Sequence, residues 1–304
     1  MTPILGIMAS QISGHLTVPG QFVVNSNSGT AVATSPDGAT WTARTNSSSN
    51  VHVGMATSGT LYCSVTIGNV AATSPDGITW TNRTLPSSGD WYNIEYGGGI
   101  FVTTKTGATT SAASSTDGIT WTARTLAQNA DTSQPRAIAY GAGIFTMFNN
   151  GGTSQGNKSS DGINWTANNI GSGAFANSCV FGNGVFVVFA ANGTFWSSTS
   201  GTSWTSRTGT SGVLWAAACY GSVAGFMAIN YTATTTTRST DGITWTSGTV
   251  PSAQNYIGAA FGNGVYVTAV RGGSQGYYSS NGTSWTSMTM PSTSDWNCFT
   301  FGQL

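Results

Sequence analysis

One short motif recurs seven times along this chain, and its even spacing leaves few folds open. Ser35-Pro-Asp-Gly-Ala-Thr-Trp41 returns as Ser74-Pro-Asp-Gly-Ile-Thr-Trp80, Ser115-Thr-Asp-Gly-Ile-Thr-Trp121 and Ser159-Ser-Asp-Gly-Ile-Asn-Trp165. The remaining copies are Ser198-Thr-Ser-Gly-Thr-Ser-Trp204, Ser239-Thr-Asp-Gly-Ile-Thr-Trp245 and Ser279-Ser-Asn-Gly-Thr-Ser-Trp285. Successive tryptophans stand 39, 41, 44, 39, 41 and 40 residues apart. A period of this length marks stacked or radial supersecondary units.

Each repeat has the same internal order. A strand ends in an aromatic residue and a glycine, as in Asn93-Ile-Glu-Tyr-Gly97 or Gly258-Ala-Ala-Phe-Gly262. A Gly-rich turn follows, then a β-branched and aromatic strand such as Val185-Phe-Val-Val, a variable polar stretch and a short Ser/Ala strand. The Ser-x-Asp-Gly turn then leads into a last strand carrying the tryptophan. Pro at the second position suits a type I turn, and the Asp carboxylate can accept backbone N–H bonds within it. That makes four short strands per repeat and no segment with a helical apolar period. One such unit cannot cover both of its apolar faces, so the units must pack radially.

The chain ends on Asp295-Trp-Asn-Cys-Phe-Thr-Phe-Gly-Gln-Leu304, a first strand with nothing after it. It begins its repeats near Gly20-Gln-Phe-Val-Val24, a second strand with no first. The expected fold is therefore all-β: a seven-bladed β-propeller of four-stranded antiparallel blades over residues 20–304, closed by the C-terminal strand joining the N-terminal blade. Residues 1–19 precede the repeats as a separate segment.

Only 6% of residues are charged, with nine basic and nine acidic side chains and a formal net charge of zero. A surface of that kind releases few counterions from a phosphate backbone, which argues against nucleic acid as a partner. Cys63, Cys179, Cys219 and Cys298 are far apart, and the only histidines are His15 and His52, so neither a metal site, a cofactor nor a disulfide scaffold is expected. No apolar run approaches the ~20 residues needed to cross a bilayer, so membrane insertion is not expected. The N-terminus lacks the basic region of a secretory signal.

Ser-x-Asp-Gly-x-x-Trp resembles a one-residue-shorter form of the Asp box, the hairpin repeated in sialidases and other propellers, and the resemblance covers nearly the whole chain. It implies that Asp37, Trp41, Asp76, Trp80, Asp117, Trp121, Asp161, Trp165, Trp204, Asp241, Trp245 and Trp285 are structural, on an outer hairpin remote from any active site. Ser200 and Asn281 depart from the pattern, as a turn-holding role tolerates. Residues 3–14, Pro-Ile-Leu-Gly-Ile-Met-Ala-Ser-Gln-Ile-Ser-Gly, are similar to openings of structural proteins of tailed bacteriophages. This implies a virion component that docks on other virion proteins through residues 1–19; the alternative is a frayed tail.

Five of the nine acids sit in the repeated turns, which leaves Asp90, Glu95, Asp131 and Asp295 without a clear pair for glycoside hydrolysis. Arg44, Arg83, Arg124 and Arg207 recur three residues after the tryptophan and read as structural. Glu95 stands where other repeats carry Ala139, Val180, Cys219, Ala260 and Thr300. It is either a catalytic acid or a residue facing water in the channel, and the second reading is preferred because a lone acid makes no mechanism.

Variable loops gather on one face: 85–90, 126–135, 209–214, 250–255 and 290–295, with 105–111, 149–157, 231–237 and 271–276. Trp91, Trp215, Tyr256 and Trp296 should enter from that face, around the channel mouth. They are either platforms for sugar rings or plugs between blades, and their exposure separates the two.

The functional expectation is a non-enzymatic virion structural protein of a tailed phage, of tail-fibre, spike or head-fibre type, made in the host cytoplasm. Its propeller would bind a host-surface partner, a glycan in the first instance, with Trp91, Trp215, Tyr256, Trp296 and Glu95 as candidate ligand-binding residues. The alternative is a capsid decoration or tail subunit touching only virion proteins; a glycoside-processing enzyme comes third. A fibre or spike would suit a homotrimer, although no heptad enforces one.

Overall fold

The computed structural model describes residues 20–107, 109–130, 136–151, 155–171, 175–190, 192–208 and 213–302. The docking segment 1–19, Asp131 and parts of the 126–135, 149–157 and 209–214 loops lie outside them. Every regular element of the described residues is a β-strand, and the sheets are antiparallel blades of a β-propeller.

The blade count differs from the sequence expectation. The strands form six sheets, not seven: five of four strands and one of six. In the wide sheet the order is Tyr256–Gly262, Val265–Ser279, Thr286–Gly302, Gln21–Ser26, Ala31–Ser35 and Thr42–Thr45. Continuity is the cause. Val265–Ser279 runs for 15 residues and Thr286–Gly302 for 17, where the other repeats break their strands with loops. Arg271 pairs with Asp295 and Gly273 with Ser294, so the loops expected at 271–276 and 290–295 are paired backbone instead. Two sequence repeats thus share one sheet. Within it Gln21 pairs with Gly302, Phe22 with Phe301 and Val24 with Phe299, joining the two ends of the chain. The Tyr62 hydroxyl donates toward the carbonyls of Gln21 and Gly302, at 3.1 and 3.3 Å, and pins that seam from the adjacent sheet.

Burial follows position within a blade. Second strands such as Phe186–Ala190 or Gly225–Asn230 are buried residue after residue, because neighbouring blades cover both faces. Outer strands such as Thr42–Thr45, Thr81–Thr84 and Thr246–Thr249 are largely exposed and polar. There Arg44, Arg83, Arg124 and Arg207 each turn Nε back to a Thr or Ser hydroxyl on the third strand, at 2.7–3.2 Å.

The repeated turn carries one hydrogen-bond set. Asp37 Oδ1 accepts from the Ser35 hydroxyl at 2.9 Å and from the backbone N–H groups of Ala39 and Thr40 at 2.8 Å. Asp76, Asp117, Asp161 and Asp241 repeat it, Asn281 accepts the same two backbone N–H groups at 2.9 Å, and Ser200 does so more loosely at 3.2 and 3.3 Å. A glycine follows in the left-handed region and faces the adjacent sheet: at Gly77, φ +69°, a Cβ would lie 2.6 Å from Val23. The turn therefore docks on the next blade as well as closing its own hairpin. The tryptophans finish that contact: Trp245 meets Phe189 edge-on at 5.3 Å, and Trp204 meets Phe148 at 5.0 Å.

Candidate functional site at the channel mouth

The four aromatic candidates are packing residues. Trp91 is 1% exposed, and Trp215, Tyr256 and Trp296 are 0% exposed, so none offers a ring to a ligand. The platform reading is corrected by this burial. Trp91, Trp215 and Tyr256 begin inner strands, Trp296 lies within Thr286–Gly302, and all four turn into the core between strands. Trp91 Nε1 then donates to Ser87 O, Trp296 Nε1 to Ser292 O and the Tyr256 hydroxyl to Ser252 O, each four residues back. The rings thus anchor the loops of the variable face from beneath, and His52 occupies the same position in its own blade, buried and 2.9 Å from the Ser64 hydroxyl.

Glu95 lies on the inner strand Trp91–Gly97, half-buried yet enclosed by protein. Burial pushes its carboxyl up to about 8, with the Tyr96 backbone opposing. The five turn aspartates are committed to backbone N–H groups of the outer hairpins. No group of three or more His, Cys, Asp or Glu side chains suited to a metal exists among the described residues. Cys63, Cys179, Cys219 and Cys298 are free thiols, all pushed up by burial, away from the thiolate form.

What the variable face does present is a cavity of about 690 Å³ at the channel mouth. Its floor comes from the starts of inner strands: Val53, Tyr92, Asn93, Asn177, Ala216, Ile257 and Asn297. Asn27, Asn150, Tyr231 and Arg271, which follow or extend second strands, form its rim with Arg136 and Leu214. Asn93 Nδ2 donates to the Arg136 carbonyl, Asn150 Nδ2 to Asn177 Oδ1, and Asn177 Nδ2 to the Trp215 carbonyl at 2.7 Å. These amides tie successive blades together around the opening. The Arg136 guanidinium lies 5.4 Å from the centre of the Tyr92 ring. Arg271 Nε is 3.6 Å from Asp295 Oδ2, and its Nη1 is 3.5 Å from the Tyr231 hydroxyl. Leu214, Ala216 and Ile257 make an apolar wall, and Leu214 is 38% exposed.

Reading the sequence for repeated aromatics missed this set. The usable signal was in the arginines. Once those of the outer strands are set aside, Arg136 and Arg271 are left beside the variable face, one just after the 126–135 loop and one at the start of 271–276.

A model of the DUF6242 beta propeller domain matches residues 115–230. No curated protein matches the sequence. Among solved structures, the chain is similar to a virginiamycin B lyase from Staphylococcus aureus at 12% identity and a TM-score of 0.71, covering 83% of this chain and 91% of that one. A structure of YCF48 bound to D1 peptide aligns at 15% identity and a TM-score of 0.61, over 81% of this chain and 84% of that one. A chain of a nidogen/laminin complex aligns at 11% identity and 0.58, over 94% and 99%. At such identities the likeness is one of fold: the chain is a β-propeller.

Proposed function

We propose that this protein is a non-enzymatic binding propeller, a virion structural protein of a tailed phage that contacts host-surface glycan through the cavity at its channel mouth. The carrying observation is that cavity: about 690 Å³, on the face of the variable loops, lined by amides, two tyrosines, two arginines and an apolar wall. Convergent polar groups against an apolar surface suit a sugar, which presents hydroxyls at its rim and C–H groups on its faces. The virion setting rests on the resemblance of residues 3–14, and the repeated Ser-Asp hydrogen bonds support kinship with Asp-box propellers. The commitment of the turn aspartates to backbone N–H groups supports a non-enzymatic role. Structural neighbours seen with a D1 peptide and within a nidogen/laminin complex are consistent with a binding scaffold.

A second reading, a subunit that meets only virion proteins, draws on Ile78, Ile119, Ile163 and Ile243. Each follows the glycine of a repeated turn and is 39–49% exposed on the opposite face. A glycan array and a host-cell binding assay with the full chain, beside Tyr92→Ala, separate the two. Saturable binding lost in a folded Tyr92→Ala variant supports the glycan reading. No binding by the folded parent overturns it in favour of assembly.

A further inference from the structure

We infer, building on the glycan reading, that the ligand of the mouth cavity carries a carboxylate, bound by the two arginines of its lining, Arg136 and Arg271. The chain has only nine basic side chains. Arg44, Arg83, Arg124 and Arg207 are held against hydroxyls on outer strands, and Lys158 and Arg238 stand on third strands. Lys105 reaches toward the Ser87 hydroxyl, outside the cavity lining. Arg136 and Arg271 line the cavity, and no carboxylate is among its described lining residues. In a chain with 6% charged residues, two guanidiniums at one opening are a marked concentration.

The geometry makes them usable. Arg136 is held against the Tyr92 ring, so its guanidinium is already oriented before a ligand arrives. Arg271 shares Asp295 at 3.6 Å, but a guanidinium offers five N–H donors in a planar fork, and one carboxylate does not exhaust them. Tyr92 lines the same cavity as both arginines. Burial pushes its phenol up, and the charges of Arg136 and Arg271 oppose that shift. An anion there accepts charge-assisted hydrogen bonds from both arginines and one from the phenol. In the same lining, Leu214, Ala216 and Ile257 offer a surface for the C–H face of the sugar ring.

The test compares matched acidic, neutral and phosphorylated saccharides on one array with the full chain, followed by calorimetric titration of any sugar retained. Uronate-type sugars should bind while their neutral counterparts do not. Arg136→Gln and Arg271→Gln should each weaken binding by about tenfold or more, the loss expected for a hydrogen bond to a charged group. Arg44→Gln on an outer strand should leave it unchanged. Neutral sugars bound equally well, or Gln variants without effect, overturn the carboxylate while leaving the glycan reading in place. Preference for the phosphorylated sugar also overturns it. Retention of no saccharide at all removes both.

Discussion

The ring of Tyr220 lies where Gly182 would carry a Cβ, at 2.1 Å from its nearest ring atoms, and this contact repeats around the channel. Tyr140 covers Gly97 in the same way, Phe181 covers Gly141, Phe261 covers Gly221 and Phe301 covers Gly262. These five aromatic-glycine pairs at inner-strand ends link successive repeats, including the two that share the wide sheet. No L side chain fits under the ring without moving one blade against another. Gly182→Ala should cost about 1–3 kcal/mol, as overpacking in a well-filled core does. Urea denaturation checks this, and an unchanged midpoint would contradict the packing.

The buried mouth aromatics should behave as core residues. Trp296→Ala should destabilise the fold by about 3–5 kcal/mol, and Trp296→Phe by clearly less. Both are read from thermal unfolding. A Trp296→Ala protein that keeps its stability but loses ligand would return the ring to the binding surface.

The turn aspartates make acid stability sensitive to pH. Backbone N–H groups of Thr120 and Thr244 hold Asp117 and Asp241 down to about 2, from the ordinary 3.8. Their stabilisation is present above the unfolded value and is lost as pH falls through about 2. Asp117→Asn should be mild, since Asn281 already makes the same bonds, whereas Asp117→Ala should cost about 1 kcal/mol. Melting temperatures of the two variants at pH 7 and pH 2.5 decide this, with the gap between Asp117→Ala and the parent narrowing at the lower pH.

Glu95 works in the opposite direction. Its folded carboxyl is raised from 4.5 to about 8, so the folded chain holds a proton that the unfolded chain has released. The stability associated with that proton is full below about 4.5 and is lost as pH rises through about 8. Glu95→Gln should therefore raise the melting temperature at pH 9 and leave it nearly unchanged at pH 4. A Glu95→Gln protein less stable than the parent at pH 9 would show that the carboxylate has a partner.

The four-stranded antiparallel blade and its turn chemistry were legible in the sequence because each is local and repeated. The number of sheets was not. Repeat counting assumes that every repeat breaks its strands alike, and pairing of Arg271 with Asp295 carries two repeats across that break. The depth of Trp91, Trp215, Tyr256 and Trp296 was also beyond reach, since a ring that begins an inner strand can point to the seam or to solvent from the same position. The cavity escaped because its lining is scattered over single residues with no shared motif. Arg136, Arg238 and Arg271 fall outside the periodic arginine pattern, and only Arg136 and Arg271 line the cavity.

The central claim is that ligand enters at the channel mouth and not at the opposite face. Host-cell binding by the full chain should be compared between Leu214→Arg, which fills the mouth, and Ile119→Arg, which changes an exposed turn on the far side. The account predicts that Leu214→Arg abolishes binding with its melting temperature unchanged, while Ile119→Arg binds as the parent does. Binding that survives Leu214→Arg and fails in Ile119→Arg would contradict it and place the working surface on the ring of turns.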